Sequence, residues 1–317
     1  MTAADCFWLA PALDALRTAH RAGRSGHALL IHADPGCGGE VLANWVAQLH
    51  LCRRDRPPCG ECADCRYCAT GQHPDVFAVA PTGDSRQIRV EDVRAFSAEL
   101  ALTSHGGGHR VGIVSPADAL NVMAANALLK TLEEPPPRTL IVLVSASPSR
   151  LPATIRSRCM RLRVSAPGRA ASLEWLAGRG KEGDLAAAAD VLGDAPLALL
   201  EADIAGIARV RTESELALGE VERGRTDPAQ LAERWSRDDY GLRLACIEAW
   251  LTARIRLSAT APTGNIAAQF GLLDALRELR REIDAPLNKS VALERWLWRL
   301  AGADDKRAGE APAQRGG

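Results

Sequence analysis

A chain of 317 residues with 47% hydrophobic and 25% charged side chains has the balance of a globular protein that buries cores in two or three domains, which excludes a fibrous or wholly disordered chain. Its 39 basic and 39 acidic residues cancel, so no overall field draws it onto nucleic acid or an anionic membrane, and any such contact must be local or shared with partners. No run of about 18 apolar residues occurs, and the opening MTAADCFWLAPALDALRTAH lacks a basic stretch followed by an apolar one, so no membrane contact is expected and the chain reads as cytoplasmic.

The first half alternates apolar runs with amphipathic segments, the pattern of βαβ units and a parallel sheet. HALLIHA (27–33) predicts a strand ending at the Gly-rich loop HADPGCGGEV (32–41), and EVLANWVAQLHLC (40–52) predicts the helix after it. Strand, loop and helix thus follow in the order of a phosphate-binding loop. Laid on G-x-x-x-x-G-K-[ST], residues 33–40 keep Gly38 but place Ala33 at the first glycine, Gly39 at the lysine and Glu40 at the hydroxyl position. The lysine would neutralise the β- and γ-phosphates and the hydroxyl would hold Mg²⁺; Glu40 would face a triphosphate with like charge. Next come a Cys-rich insert (52–68), a strand DVFAVA (75–80), a helix VEDVRAFSAELAL (90–102) and a strand RVGIVS (110–115). The helix AANALLKTLEE (124–134) is stopped by Pro135, Pro136 and Pro137 and leads into the strand TLIVLVSAS (139–147), and IRSRCMRLRV (155–164) closes the unit. Beyond SAPGRA, Ala, Leu, Arg and Glu recur at helical spacing, which predicts a small helical domain over 165–206 and a longer one over 207–302. Residues 303–317 show no apolar periodicity and are expected to be disordered.

Of nine cysteines, Cys59, Cys62, Cys65 and Cys68 stand at three-residue steps without secretory context, which argues for metal before disulfides. Spacing alone leaves zinc and iron–sulfur ligation open. The bacterial ferredoxin run has three residues before its last Cys and a Pro after it, whereas here the gap is two and Ala69 follows. Four thiolates around Zn²⁺ would make a closed, structural site with no position left for water. Cys6, Cys37, Cys159 and Cys246 are isolated and are expected as buried thiols. No sequence partner makes Cys37 a nucleophile. His73 in GQHPD is expected to be a turn residue rather than a fifth ligand, and Trp296 and Trp298 to be helical packing rather than base-stacking platforms.

The stretch NALLKTLEEPPPRTLIVLVSASPSRLPATIRSRC (126–159), together with the Gly-rich loop and with CGECADC followed by GQHPD (71–75), resembles the AAA+ subunits of bacterial clamp loaders. Residues 1 to about 165 carry the likeness; the rest shares architecture only. The resemblance implies an α/β AAA+ domain of P-loop NTPase type with a parallel sheet (1–164) carrying a four-cysteine zinc module (52–68), then a small helical lid domain (165–206) and an all-α collar domain (207–302). It selects Cys52, Cys59, Cys62 and Cys65 as Zn²⁺ ligands, because the family's first ligand ends the helix after the P-loop; Cys68 competes with Cys52. At each nucleotide station the chain departs from the family. The loop Gly36, Gly38, Gly39, Glu40 is degenerate; Ser115 and Pro116 replace the Walker B Asp-Glu, with Asp118 too late to substitute; Pro196 in GDAPLALL (193–200) replaces the sensor-2 arginine; and Ser145 at sensor 1 cannot restore the missing charges. These departures imply a chain that neither hydrolyses ATP nor binds it tightly.

Ser157-Arg158-Cys159 is intact, and the resemblance implies that Arg158 enters a neighbouring subunit's ATP site as an arginine finger. Taken alone, the tripeptide would be a surface arginine among Arg156, Arg161 and Arg163. The family implies a non-hydrolysing subunit of the DNA polymerase III clamp loader, in a hetero-pentamer with gamma/tau and delta subunits, acting on the sliding clamp and primer-template DNA through the assembly. Two other classes are distinguishable from it: an active AAA+ ATPase, by nucleotide turnover, and a metal–sulfur regulatory module, by metal analysis and a visible spectrum.

Overall fold

Five short apolar runs form one parallel sheet in a computed structural model that describes residues 1–82, 87–259, 266–281 and 288–302. The strands are β1 (Ala28–His32), β2 (Val76–Val79), β3 (Arg110–Val114), β4 (Thr139–Ser145) and β5 (Met160–Arg163), in the spatial order β2-β3-β4-β1-β5. Every neighbouring pair is parallel. Parallel strands covered on both faces read as continuous apolar runs, and Leu29, Leu30, Ile31, Ile141, Val142 and Leu143 are accordingly buried. The helices of this half are α1 (Ala10–Arg21), α2 (Gly39–Leu51), α3 (Ala63–Ala69), α4 (Val90–Ala101), α5 (Val122–Glu133) and α6 (Ala153–Arg156). One core joins Leu30, Ile141 and Leu143 of the sheet to Val93, Phe96 and Leu100 of α4, Leu128 and Leu132 of α5, and Ile155 and Cys159 beyond them. Gly112 in β3 is required by this packing, since a Cβ there would lie 2.4 Å from the Phe96 ring.

The expected elements of the first half are present with ends moved by one or two residues. Three local features differ. The segment 155–164 is two elements, because Ile155 and Cys159 turn into the core before β5 begins. The cysteine insert contains α3, started by the Cys62 side chain accepting from the Cys65 N–H. The amphipathic α1, which buries Leu13 and Leu16, has no counterpart among the expected elements.

The chain divides into two compact units: Met1–Ser172 with Ala195–Ala198, and Leu173–Asp194 with Leu199 onward. Beyond the sheet all described elements are helical: α7 (Arg169–Ala177), α8 (Leu185–Leu192), α9 (Pro196–Glu201), α10 (Ile204–Glu222), α11 (Pro228–Arg237), α12 (Tyr240–Ala259), α13 (Ile266–Arg281) and α14 (Lys289–Leu300). Asp184, Asp203, Asp227 and Asn288 each cap a helix by accepting a backbone N–H. Among the described residues of the second unit, one core holds Leu176, Val191, Ile207, Val210 and Cys246, and another holds Leu218, Trp235, Leu244, Leu276, Leu293 and Trp296. The expected junction at 206/207 lies in the first turn of α10, which supplies residues to both cores. Trp296 packs in the helical core and donates to the Leu272 carbonyl at 2.9 Å; Trp298 donates to Glu294 at 3.3 Å. No described helix is long and apolar enough to cross a membrane, and residues 303–317, expected to be a disordered tail, lie outside the described residues.

Candidate nucleotide and metal sites

The Gly-rich loop follows β1 at the carboxyl edge of the sheet, the place where open parallel sheets bind ligands. His32 and Ser145 are paired across β1 and β4, and Ser115 follows β3, so the three stations expected from the sequence do converge. Their side chains, however, are turned on one another. The Ser115 hydroxyl donates to Glu40 Oε1 at 2.8 Å. Asp118 accepts from the Ser145 hydroxyl at 2.7 Å, from the Ala146 N–H at 2.7 Å and from the Ser147 N–H at 3.1 Å, which commits it to the end of β4. Sequence reasoning sets Asp118 aside; its three-fold use as an acceptor has no sequence signal beyond its nearness to the strand end.

The loop backbone is closed in as well. A Cβ at Gly39 would stand 2.7 Å from Val144 Cγ1 and 2.9 Å from Ala33 Cβ, so a side chain at the would-be lysine position would start against Val144 of β4 and Ala33 after β1. Gly36, with φ +73°, has Ala198 Cβ 2.6 Å from where its own Cβ would be, and its carbonyl accepts from the Leu197 N–H at 3.0 Å. Pro196 and its neighbours, at the sensor-2 position, therefore rest on the loop. From the other side Trp8 donates its indole N–H to the Cys37 carbonyl at 2.8 Å. Burial, then the nearby Asp34, pushes the Cys37 thiol up to about 11, so it stays protonated and is not poised as a nucleophile.

Arg158 lies between two core residues, Ile155 and Cys159. Its Nη1 donates to the Thr154 carbonyl at 2.9 Å and its Nη2 pairs with Glu133 Oε1 at 2.7 Å. The side chain keeps 35% of its surface exposed. Arg161 instead turns both Nε and Nη2 back to the Arg156 carbonyl.

The thiols of Cys52, Cys59, Cys62 and Cys65 all lie within 4.8 Å of one another, the one such group of potential metal ligands among the described residues. Cys68 is buried and outside that group. Cys52 ends α2 by donating its N–H to the Gln48 carbonyl at 3.0 Å; Cys59 and Cys62 flank a turn with Gly60 at φ +76°, a conformation glycine adopts without strain. The Cys59–Cys65 and Cys62–Cys52 sulfur distances are 3.9 and 4.0 Å, against an edge of about 3.8 Å for a tetrahedron with Zn–S bonds of about 2.3 Å. The donor set thus fits one four-coordinate ion, whereas a cubane would spread its ligands further. The N–H groups of Cys62 and Glu61 pull the Cys59 thiol down to about 6, while burial pushes Cys52 and Cys65 up. A bound cation would displace those protons and hold the thiolates.

His73 is not in the cluster but ties it to the sheet. Its Nδ1 accepts from the Asp75 N–H at 3.0 Å, which places the ring proton on Nε2, 3.3 Å from Asp64 Oδ1 on α3. Asp75 is itself buried and accepts from Ser104 and His105, both at 3.0 Å, and from Arg110 at 3.4 Å. Burial raises the Asp75 carboxyl, but the His105 N–H, Ser104 and Arg110 outweigh it and hold it below its ordinary value. Nothing in the sequence except the HPD spacing signals this chain of contacts.

Residues 9–167 match the sequence family described as DNA polymerase III, delta subunit. The chain is 34% identical to DNA polymerase III subunit delta' of Pseudomonas aeruginosa over 278 residues, 86% of this chain and 83% of that protein. It is 39% identical to DNA polymerase III subunit delta' of Escherichia coli K12 over 171 residues, 53% of this chain and 51% of that one. To DNA polymerase III subunit tau of the same bacterium it is 31% identical over 167 residues, 52% of this chain and 26% of that one.

Proposed function

The chain belongs to the DNA polymerase III delta' family, and from that premise we propose that it is a clamp-loader subunit that neither binds nor hydrolyses ATP and lends an arginine to a neighbour that does. The observation that carries the first half is the Ser115–Glu40 hydrogen bond of 2.8 Å. In an NTPase these two positions hold Mg²⁺ between them; here they satisfy each other, and Glu40 would repel a triphosphate that came near. Calorimetry with Mg-ATP on the purified chain tests it: no heat of binding at millimolar ATP is expected, and DNA-stimulated turnover by the isolated chain would overturn it.

The second half rests on Arg158. An exposed guanidinium on core-anchored backbone can be presented to an adjacent subunit, where it would stabilise charge on the transferring phosphoryl group. Helical residues 165–206 then serve as the lid and 207–302 as the collar through which the chain joins gamma/tau and delta subunits in a hetero-pentamer. The clamp and primer-template DNA are met through that assembly, in the cytoplasm. The four-thiol cluster holds one structural Zn²⁺, ligated by Cys52, Cys59, Cys62 and Cys65, with no open position for chemistry. Co-purification with the cognate polymerase subunits, followed by ATP hydrolysis with and without this chain, tests the assembly role; a complex that forms and turns over equally without it would refute that role.

A further inference from the structure

Resting on the reading of Arg158 as a finger, we propose that Glu133 is its positioning residue, holding the guanidinium in a presented orientation from within the same chain. The contact is direct, Nη2 to Oε1 at 2.7 Å, and the Thr154 carbonyl takes Nη1 at 2.9 Å. These two bonds use two of the five N–H groups of a guanidinium. The other three have no partner among the described residues, so the fork is held without being spent.

Both ends of the pair stand on fixed backbone. Glu133 is the last residue of α5, follows the buried Leu132, and precedes Pro135, Pro136 and Pro137, which end the helix. His27 Nε2 lies 3.1 Å from the Leu132 carbonyl and pins that helix end to the sheet. Arg158 sits between the buried Ile155 and Cys159, and the Ser157 hydroxyl donates to the same Thr154 carbonyl at 3.1 Å.

Stability does not account for Glu133. With side-chain exposures of 35% and 50% the pair is largely solvated, and such pairs contribute little to folding. A carboxylate in the last turn of a helix is also disfavoured by the helix dipole. What the pair does provide is order: a free arginine samples many rotamers, and fixing them beforehand removes that entropy cost from the moment of reaction. A lock reading, in which Glu133 withholds the arginine, would need the free donors to be covered, and they are not.

The test is ATP turnover as a function of ATP concentration by the reconstituted complex of the full-length chain with its cognate subunits, clamp and primed DNA. The variants are Arg158→Ala, Glu133→Ala, Glu133→Gln and the Arg158→Ala/Glu133→Ala pair, with assembly checked by gel filtration. Glu133→Ala should lower kcat by about two- to fivefold, a fraction of the Arg158→Ala loss, as expected for an exposed charge pair, and leave KM for ATP unchanged. Glu133→Gln, whose amide oxygen still accepts from Nη2, should regain part of the loss. In the Arg158→Ala background Glu133→Ala should do nothing further. If Arg158→Ala impairs turnover while Glu133→Ala is unchanged, faster, additive with Arg158→Ala or unable to assemble, the positioning role is wrong and the finger stands. If Arg158→Ala leaves turnover unchanged in an assembled complex, the finger reading falls and this inference with it.

Discussion

Restoring the two missing loop side chains, by Gly39→Lys with Glu40→Thr, will not restore nucleotide binding. The side chain at 39 must start from a Cβ placed 2.7 Å from Val144 Cγ1 and 2.9 Å from Ala33 Cβ, distances at which Val144 and Ala33 have to shift. Such overpacking costs about 1–3 kcal/mol. Losing the Ser115–Glu40 bond of 2.8 Å adds about 1 kcal/mol. At about 2–4 °C per kcal/mol for a unit of this size, the melting temperature should fall by roughly 4–16 °C. Gly39→Ala isolates the steric part and should cost about 1–3 kcal/mol, whereas Glu40→Thr alone should cost about 1 kcal/mol. The assay is thermal melting followed by circular dichroism on all three variants, with Mg-ATP titrated calorimetrically into each. A double variant that melts like the parent, or that binds Mg-ATP, would show that the position is open and that the loop is merely missing its chemistry.

Metal analysis after Cys52→Ser should show lowered zinc, whereas Cys68→Ser should leave it near one per chain; the reverse pattern would mean that the ligand set is wrong. The loaded protein should be colourless, and absorption in the visible region would point to iron instead. Asp75→Leu should destabilise the first unit by about 3–5 kcal/mol in denaturant titration, because it leaves Arg110 buried without its carboxylate; a loss below about 1 kcal/mol would mean that Arg110 does not depend on the Asp75 carboxylate. Arg158→Ala should melt within about 0.5 kcal/mol of the parent, as exposed substitutions do, and Arg158→Lys should rescue turnover poorly, since a compact ammonium cannot reproduce the planar fork.

What the sequence reveals follows from what kind of signal each feature leaves. Strands such as TLIVLVSAS leave an apolar run because β4 is buried along its whole length, and the cysteine cluster is legible because its three-residue steps lie within one short insert. The choice of Cys52 over Cys68 is not set by spacing; it depends on α2 ending where its last N–H reaches Gln48, which the resemblance supplies, and the close group of thiols includes Cys52 and not Cys68. The short helix α3 inside the insert is invisible in the sequence because seven residues with loop-like cysteine steps carry no periodicity. Pairs distant in sequence, Ser115 with Glu40 and Arg158 with Glu133, are illegible: each residue can be named as absent or present chemistry, but no pattern in one chain says which polar groups satisfy which.

That last class of contact decides what the polar groups around the Gly-rich loop pair with. A phosphate-binding loop exposes backbone groups and polar side chains that a ligand normally satisfies, and those of them that are buried would cost about 1–3 kcal/mol each if left unpaired. Here Glu40 takes Ser115, Asp118 takes Ser145 with two backbone N–H groups, the Cys37 carbonyl takes Trp8, and the Gly36 carbonyl takes the Leu197 N–H. Each of these groups has a partner within the chain. Arg158 is built on the opposite logic, with core residues on either side and three N–H donors left over among the described residues. Polar groups around the loop thus pair within the chain, whereas the Arg158 guanidinium keeps three N–H donors without a partner among the described residues.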